Sequence, residues 1–462
     1  METVKHIAVA VIGCGTVGGA TARILVQDRE YLKARAGIDV ELKYVVDRDF
    51  TNARKLGIPE SAYTTDLQVA LTDPDVKIVL ELVGGTTIAR DFIMRALTAG
   101  KHVVTANKAL LAHHGPELFA LARQHKVSVA FEASCGGGIP IIRAICDGLI
   151  ANRIDAVYGI VNGTCNYILT EMIDRGVGYE EALADAQKAG LAEADPTLDV
   201  SGGDSAHKIA IMASLAFGKR FDLEGIRIEG IDRLKLEDVK YGMELGYVIK
   251  LLAMAQRVND GYCLRVRPVF ISHDHPLSWV SGPFNAISVY GHTTGHTMYY
   301  GRGAGGRPTG SAVVADILSI ATGSYQNIFS YPGMWPDLSD GGRMVAPDEL
   351  VNRFYLRLIV EDTPGVLAQI ASILGNHGIS IASVRQDEAP VTQSLPAELP
   401  AKSAAAELQP TPPVHGVPVI ITVHPARERN LLDAMDEISA LDAVRKGSSI
   451  ISIIDEHEEQ IG

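Results

Sequence analysis

The apolar positions of residues 5–131 come in short continuous runs separated by stretches of helical spacing. "HIAVAVIG" (6–13), "VELKYVVD" (40–47), "VKIVLELV" (76–83), "HVVTA" (102–106) and "VSVAF" (127–131) read as strands. Between them, "VGGATARILVQDREYLKAR" (17–35) and the segments near 88–98 and 116–125 read as helices. Strands that are apolar on both faces and alternate with helices predict a parallel sheet covered on both sides. Parallel crossovers are nearly always right-handed, so a doubly wound α/β sheet is expected over residues 1–131.

From 132 to 309 the rhythm is mixed. "DVKYGMELGYVIKLLAMAQRV" (238–258) reads as one helix, whereas "YCLRVRPVFI" (262–271) and "HTMYYG" (296–301) read as strands, an α+β pattern. "GSAVVADILSIATG" (310–323) reads as an apolar helix that returns to the first domain, and 325–349 as a Pro/Gly/Asp-rich linker. Residues 350–455 then follow the order βαββαβ. Pro-Gly stands at the first helix's entry and Gly378 after its end. The stretch 387–416, rich in Pro and Ala, interrupts this last unit and reads as a flexible insertion.

Length and charge narrow the classes. A chain of 462 residues is expected to hold two or three domains. With 47% hydrophobic and 21% charged residues it reads as a soluble globular protein. A net charge of −13 argues against an extended nucleic-acid surface. The five cysteines form no CxxC pair, which suits a reducing compartment. No secretory leader and no run of bilayer-spanning length is seen, so the expected location is the cytoplasm, with no membrane partner.

Two motifs carry candidate chemistry. "GCGTVG" follows the first strand and opens a helix, where glycines allow a tight turn and the helix N-terminus faces a pyrophosphate. The candidate cofactor residues there are Gly13, Gly15, Thr16, Val17 and Gly18. Asp47 ends the second strand, where a carboxylate can bond a ribose hydroxyl; Arg48 beside it can instead meet a 2′-phosphate. NAD and NADP both stay open, with a lean to NADP. Thr105 and Lys108 lie at the carboxyl edge of the strand read at 102–106, where such sheets bind ligands. The second motif is "AGLAEADPTLDVSGGDSAHK" (189–208), with four carboxylates, a Gly-Gly pair and a closing lysine. Ser201 is placed to cap a helix with Asp204 in the acidic position of a capping box, which puts Asp204 and Lys208 one turn apart. An isolated Asp-Lys pair of this spacing is ordinarily an exposed ion pair worth a few tenths of a kcal/mol. Four carboxylates before a Gly-Gly break are more than a surface loop needs.

That segment resembles the signature of homoserine dehydrogenases at Ala186, Gly190, Leu191, Asp195, Pro196, Asp199, Val200, Gly202, Asp204 and Lys208. "NGTCNYIL", "FEASCGGGIPII" and "GRGAGGRPTGSAVVADI" agree with it. The resemblance covers about residues 5–325, and the βαββαβ unit with "DTPGVL" resembles an ACT domain. It implies reversible NAD(P)-dependent reduction of L-aspartate 4-semialdehyde to L-homoserine, towards threonine, isoleucine and methionine. Carried over, Lys208 donates the proton, Lys108 lies between nicotinamide and substrate, and Glu193, Asp199, Asp204, Gly163 and Thr164 face the substrate. Glu132 with the carbonyls of Cys135, Gly137 and Ile139 matches the family's site for a monovalent cation, sodium or potassium. The resemblance also implies a homodimer or higher homo-oligomer formed through the middle domain, and threonine as effector of the last. Cys135, Cys165 and Gly310 depart from the family's usual residues, and the 387–416 insertion from its usual hairpin.

Two other readings compete. A semialdehyde dehydrogenase working through a thiolate would use Cys135 or Cys165, but no histidine stands in pairing spacing to either. A sensor binding nucleotide and amino acid without turnover leaves Lys108 and Lys208 unexplained.

Overall fold

The computed structural model describes residues 5–386 and 416–457. The insertion read at 387–416 lies outside the described residues apart from Gly416. Strands β1 (Lys5–Ile12), β2 (Ile38–Val46), β3 (Tyr63–Thr64), β4 (Val76–Glu81), β5 (His102–Thr105) and β6 (Val129–Ala130) form a parallel sheet in the order β3-β2-β1-β4-β5-β6. Residues 7–12 of β1 are almost completely buried. Each large aliphatic side chain so placed contributes about 1.5–3 kcal/mol, which explains why the run is apolar on both faces. The strand order reverses between β1 and β4, and this creates the crevice where doubly wound folds bind ligands.

The helix expected at 310–323 spans Gly306–Thr322 and packs on the helix Thr16–Gln27. Gly306 and Gly310 face that helix so closely that an added Cβ would lie 3.0 Å from the Thr16 carbonyl oxygen and 3.1 Å from the Thr21 nitrogen. The stretch 325–349 differs from a loose linker. Tyr325 and Trp335 are buried, Tyr325 donates to the Val129 carbonyl, and Arg123 pairs with Asp337. Its prolines and glycines turn the chain back over the nucleotide unit's core.

A second sheet gathers β7 (Ile154–Ile160), β8 (Arg227–Ile228), β9 (Tyr247–Val258), β10 (Gly261–Ser272), β11 (Phe284–Gly291) and β12 (Gly295–Arg302) with the last unit's strands. These are β13 (Val351–Val360), β14 (Ile381–Gln386), β15 (Val417–Arg427) and β16 (Val444–Ile454). The order is β12-β11-β7-β9-β10-β16-β13-β15-β14, with β8 beside β10. The C-terminal unit therefore continues the middle unit's sheet, through parallel pairing of residues 269–271 with 452–454.

The single helix expected at 238–258 is a correction. A helix spans Leu236–Glu244, Gly246 turns at φ +85°, and β9 follows. Residues 248–255 are buried on both faces, and a wholly apolar run shows no period that separates a buried strand from a buried helix. Among the described residues no helix is long and apolar enough to cross a membrane.

Candidate active site

The nucleotide crevice is built by close approach of backbone. Gly13 adopts φ +89°, and a Cβ on Gly18 would lie 1.8 Å from the Gly13 carbonyl oxygen. Only glycine serves at either position. Gly15 and Thr16 are exposed, Val17 is half-buried, and no side chain caps the helix that starts at Thr16. Its first N–H groups thus face the crevice, as a pyrophosphate requires. Asp47 does more than end β2: one oxygen accepts from the Cys14 N–H at 2.6 Å, and the other from the Arg48 and Asp49 N–H groups at 2.6 and 3.2 Å. The carboxylate clamps the glycine turn onto the sheet, while the Arg48 side chain is exposed. The geometry fits a dinucleotide.

Thr105 ends β5 with its hydroxyl donating to Glu81 at 2.7 Å. The other Glu81 oxygen accepts from the Val83 and Gly84 N–H groups at 3.0 Å, so β4 and β5 are tied at the crevice. Asn107 then caps the helix Lys108–Gln124 by accepting from the Leu110 N–H at 3.1 Å, which sets Lys108 at the helix's first position. Neither Glu81 nor Asn107 stands out in the sequence alone, although an Asn before a helical run is a capping signal.

Across the crevice, Asp204 receives both lysines. Lys108 Nζ lies 2.8 Å from Oδ1 and Lys208 Nζ 2.7 Å from Oδ2, so the pair spaced four residues apart is buried and joined by a cation from the nucleotide unit. Lys208 also donates to the Val161 carbonyl at 2.6 Å. An ammonium has three donors, so one is left for a ligand. Burial raises the Asp204 carboxyl, but the Lys208 and Lys108 charges outweigh it and hold the group well below the usual carboxylate range. Burial likewise opposes the Lys108 ammonium, yet Asp204 raises it above a lysine's ordinary value.

The capping box expected at Ser201 is a further correction. The helix Gly203–Phe217 is entered through Gly202 at φ +88° with no side-chain cap. The Asp204 side chain is drawn instead to the lysines, whose charge outcompetes a backbone N–H.

Asn162 links the remaining parts. Its oxygen caps the helix Gly163–Arg175 through the Cys165 N–H at 2.8 Å. Its amide donates to Asp199 at 2.8 Å and Asp204 at 2.9 Å. Thr164 donates to the Leu191 carbonyl at 2.7 Å, and Gly163 sits where a Cβ would be 2.8 Å from the Pro283 carbonyl oxygen. The acidic stretch thus divides. Asp199 and Asp204 converge, Asp195 closes a surface turn with Thr197, and Glu193 is exposed.

Glu132 is buried behind this centre and accepts from the Ile142 and Arg143 N–H groups, each at 2.9 Å. Burial and the neighbouring Asp316 push it up to about 8, with Arg143 the cation between the two carboxylates. Cys135 is fully buried beside it, and Ile139 packs in the core. Gly137 turns at φ +42°, where a Cβ would lie 2.7 Å from the Gly303 carbonyl oxygen. Among the described residues no cluster of three or more His, Cys, Asp and Glu side chains is arranged to hold a metal. Any cation here depends on backbone carbonyls. Burial pushes the Cys135 thiol up to about 12 and the Cys165 thiol well above its ordinary value, so neither is a thiolate nucleophile.

Comparison with known proteins agrees with this geometry. A family model described as "Homoserine dehydrogenase" matches residues 140–318, and one described as "Homoserine dehydrogenase, NAD binding domain" matches 13–132. An ACT domain model matches 354–395. A homoserine dehydrogenase of Pseudomonas aeruginosa is 40% identical over 95% of this chain and 97% of its own length. One of Synechocystis is 41% identical over 97% and 99%. The crystal structure of a homoserine dehydrogenase from Thiobacillus denitrificans superposes with a TM-score of 0.87 at 39% identity, covering 98% of this chain and 100% of that one. A hyperthermophilic archaeal homoserine dehydrogenase in complex with NADPH has a TM-score of 0.59 at 25% identity, over 71% of this chain and 99% of that one. A glycine crevice, a carboxylate shared by two lysines and a C-terminal βαββαβ unit thus occur together in a chain that belongs to the homoserine dehydrogenase family.

Proposed function

We infer that this chain interconverts L-aspartate 4-semialdehyde and L-homoserine with a nicotinamide dinucleotide. The observation that carries the reading is Asp204 held between Lys108 and Lys208 at the mouth of the nucleotide crevice. A bound dinucleotide supplies the hydride to the aldehyde carbon and takes it back in reverse. Lys208 Nζ stabilises the negative charge that develops on the carbonyl oxygen and gives that oxygen its proton. Asp204 holds both ammonium groups, and Asn162 fixes Asp204 and Asp199 at one spacing. Lys108, about a third exposed, reaches from the nucleotide unit to order the substrate side. Asp199 offers a carboxylate to the substrate's own ammonium; Glu193, exposed here, serves the substrate when it is bound.

For the dinucleotide we favour NADP. Asp47 is committed to three backbone N–H groups, and Arg48 stands exposed beside it. The NADPH-bound archaeal relative supports the same choice. Replacing Arg48 with Ala should weaken NADP about tenfold and leave NAD little changed, as loss of a charged phosphate contact predicts. Two buried carboxylates, Glu132 and Asp316, against one guanidinium support a monovalent cation at Glu132 and the Cys135, Gly137 and Ile139 carbonyls. The βαββαβ unit supports regulation by an amino acid, with threonine as the effector. The middle unit's sheet is the proposed homodimer surface.

The deciding experiment follows cofactor absorbance with homoserine present. Lys208→Ala should lower kcat about 10³-fold while dinucleotide binding, read by fluorescence, persists. Near-normal turnover would sink the assignment.

A further inference from the structure

The C-terminal unit is welded to the catalytic one. Beyond the shared sheet, Asp238 of the middle unit is buried and accepts from Arg357 Nε at 2.7 Å and its terminal nitrogen at 2.8 Å. Tyr355 at 3.1 Å and Ser449 at 2.7 Å complete its shell. At this seam lies a cavity of about 540 Å³, within the ~300–1,000 Å³ typical of small-molecule sites.

Its walls carry complementary chemistry. Ser448, Ser449 and Ile450 come from β16, and Asp232 and Arg233 from the loop after β8. Asp232 and Arg233 form no ion pair among the described residues, and both are exposed to the cavity's mouth. Glu229 and Asp238 also line it but are paired with Arg267 and Arg357. The Asp232 carboxylate, the Arg233 guanidinium, the serine hydroxyls and an apolar patch suit an ammonium, a carboxylate and a short side chain on one molecule.

Ser201 also lines the cavity and ties it to the lysine centre. The Ile231 N–H donates to the Val200 carbonyl at 2.8 Å. A Cβ on Gly230 would lie 2.2 Å from that oxygen and 2.7 Å from the Ser201 Cα. On Gly202 it would lie 3.0 Å from the Ile228 side chain. Loop 228–231 and segment 200–202 therefore touch with no slack, and close packing transmits a displacement rather than absorbing it. That segment has Asp199 on one side and Asp204 on the other.

We propose that this cavity binds a small zwitterionic amino acid and couples it to turnover by shifting residues 200–202. The site lies at the seam between units, apart from the "DTPGVL" turn at 362–367. It rests on the regulatory reading given above. A ligand that prefers one position of loop 228–234 shifts the population of segment 200–202, and with it the spacing of Asp199 and Asp204.

The test measures how L-threonine, L-isoleucine and L-methionine change the rate of the full-length enzyme, each variant referred to its own uninhibited rate. Binding is followed by calorimetry. Arg233→Ala removes the guanidinium, Ser448→Trp fills the cavity, and Asp362→Ala alters the other turn. The expected result is that the first two weaken the active amino acid at least about tenfold, Arg233→Ala by loss of a charged hydrogen bond and Ser448→Trp by occupying the ligand's space, and the third does not. Should Asp362→Ala abolish the response while both cavity variants keep it, regulation stands and this site is wrong. Should no amino acid bind or change the rate of the unaltered enzyme, the regulatory reading itself falls, and the site with it.

Discussion

Asp204 and Asp238 are both buried aspartates that tie one unit of the molecule to the next, yet they are held by different cations. Asp204 takes two lysines, one from each side of the crevice, and the Lys108 side chain is 34% exposed. Asp238 takes one arginine in a two-bond fork, with side-chain exposures of 7% and 2%. An ammonium is a point charge on a flexible stem, so it can turn from a carboxylate to a substrate oxygen. A guanidinium fork fixes two bonds at once and resists exchange. The same electrostatic attraction thus suits the centre proposed to change partners and a joint that keeps one. Lys250 supplies a third case: a buried lysine whose ammonium donates to the Val280 carbonyl at 2.6 Å and which pairs with no carboxylate among the described residues.

Substitutions can break this contrast. The largest effect is expected from Asp238→Ala, which strands Arg357 in the interior and should cost about 3–5 kcal/mol of stability. Denaturant unfolding checks it, and the folded variant should keep most of its turnover. A milder cut, Arg357→Lys, keeps the charge but loses the fork. It should cost about 1–3 kcal/mol, which distinguishes a geometric joint from a merely charged one. At the other aspartate, Asn162→Asp replaces a donor with a third carboxylate beside Asp199 and Asp204. It should lower kcat about tenfold or more and displace the pH–rate profile, whereas a structural cap alone would leave the profile in place, since Asp caps helices as well as Asn.

The smallest effect tests Lys250, whose ammonium donates to a carbonyl and not to a carboxylate. Burial lowers Lys250 from 10.5 to about 8. The folded chain therefore holds fewer protons than the unfolded one between those values, and stability should rise as pH climbs from about 8 to 10.5. Lys250→Met should flatten that rise in pH-dependent melting curves. An unchanged slope would show that another group causes it.

Much of this was legible beforehand because it is local. Runs such as residues 7–12 announce buried parallel strands, and "GCGTVG" announces a turn that needs glycine. The order βαββαβ could be counted along the chain. The failures have separate causes. At 247–258 a doubly buried run has no period, and at Ser201 a sound capping signal lost to two lysines that hold Asp204, one of them, Lys108, 96 residues before Asp204 in the sequence. Asn162 was hidden because its role is visible only when Asp199 and Asp204 fold back onto it.

The chain's own order of residues determined the doubly wound unit, the glycine turn and the candidacy of Lys208, since each depends on neighbours within a few positions. Tertiary structure alone decided that Lys108 and Lys208 share one carboxylate, that Glu193 stays outside that cluster, and that the last unit extends the middle unit's sheet. Those outcomes turn on which distant groups compete for the same buried charge or strand edge, and sequence spacing carries no record of that competition.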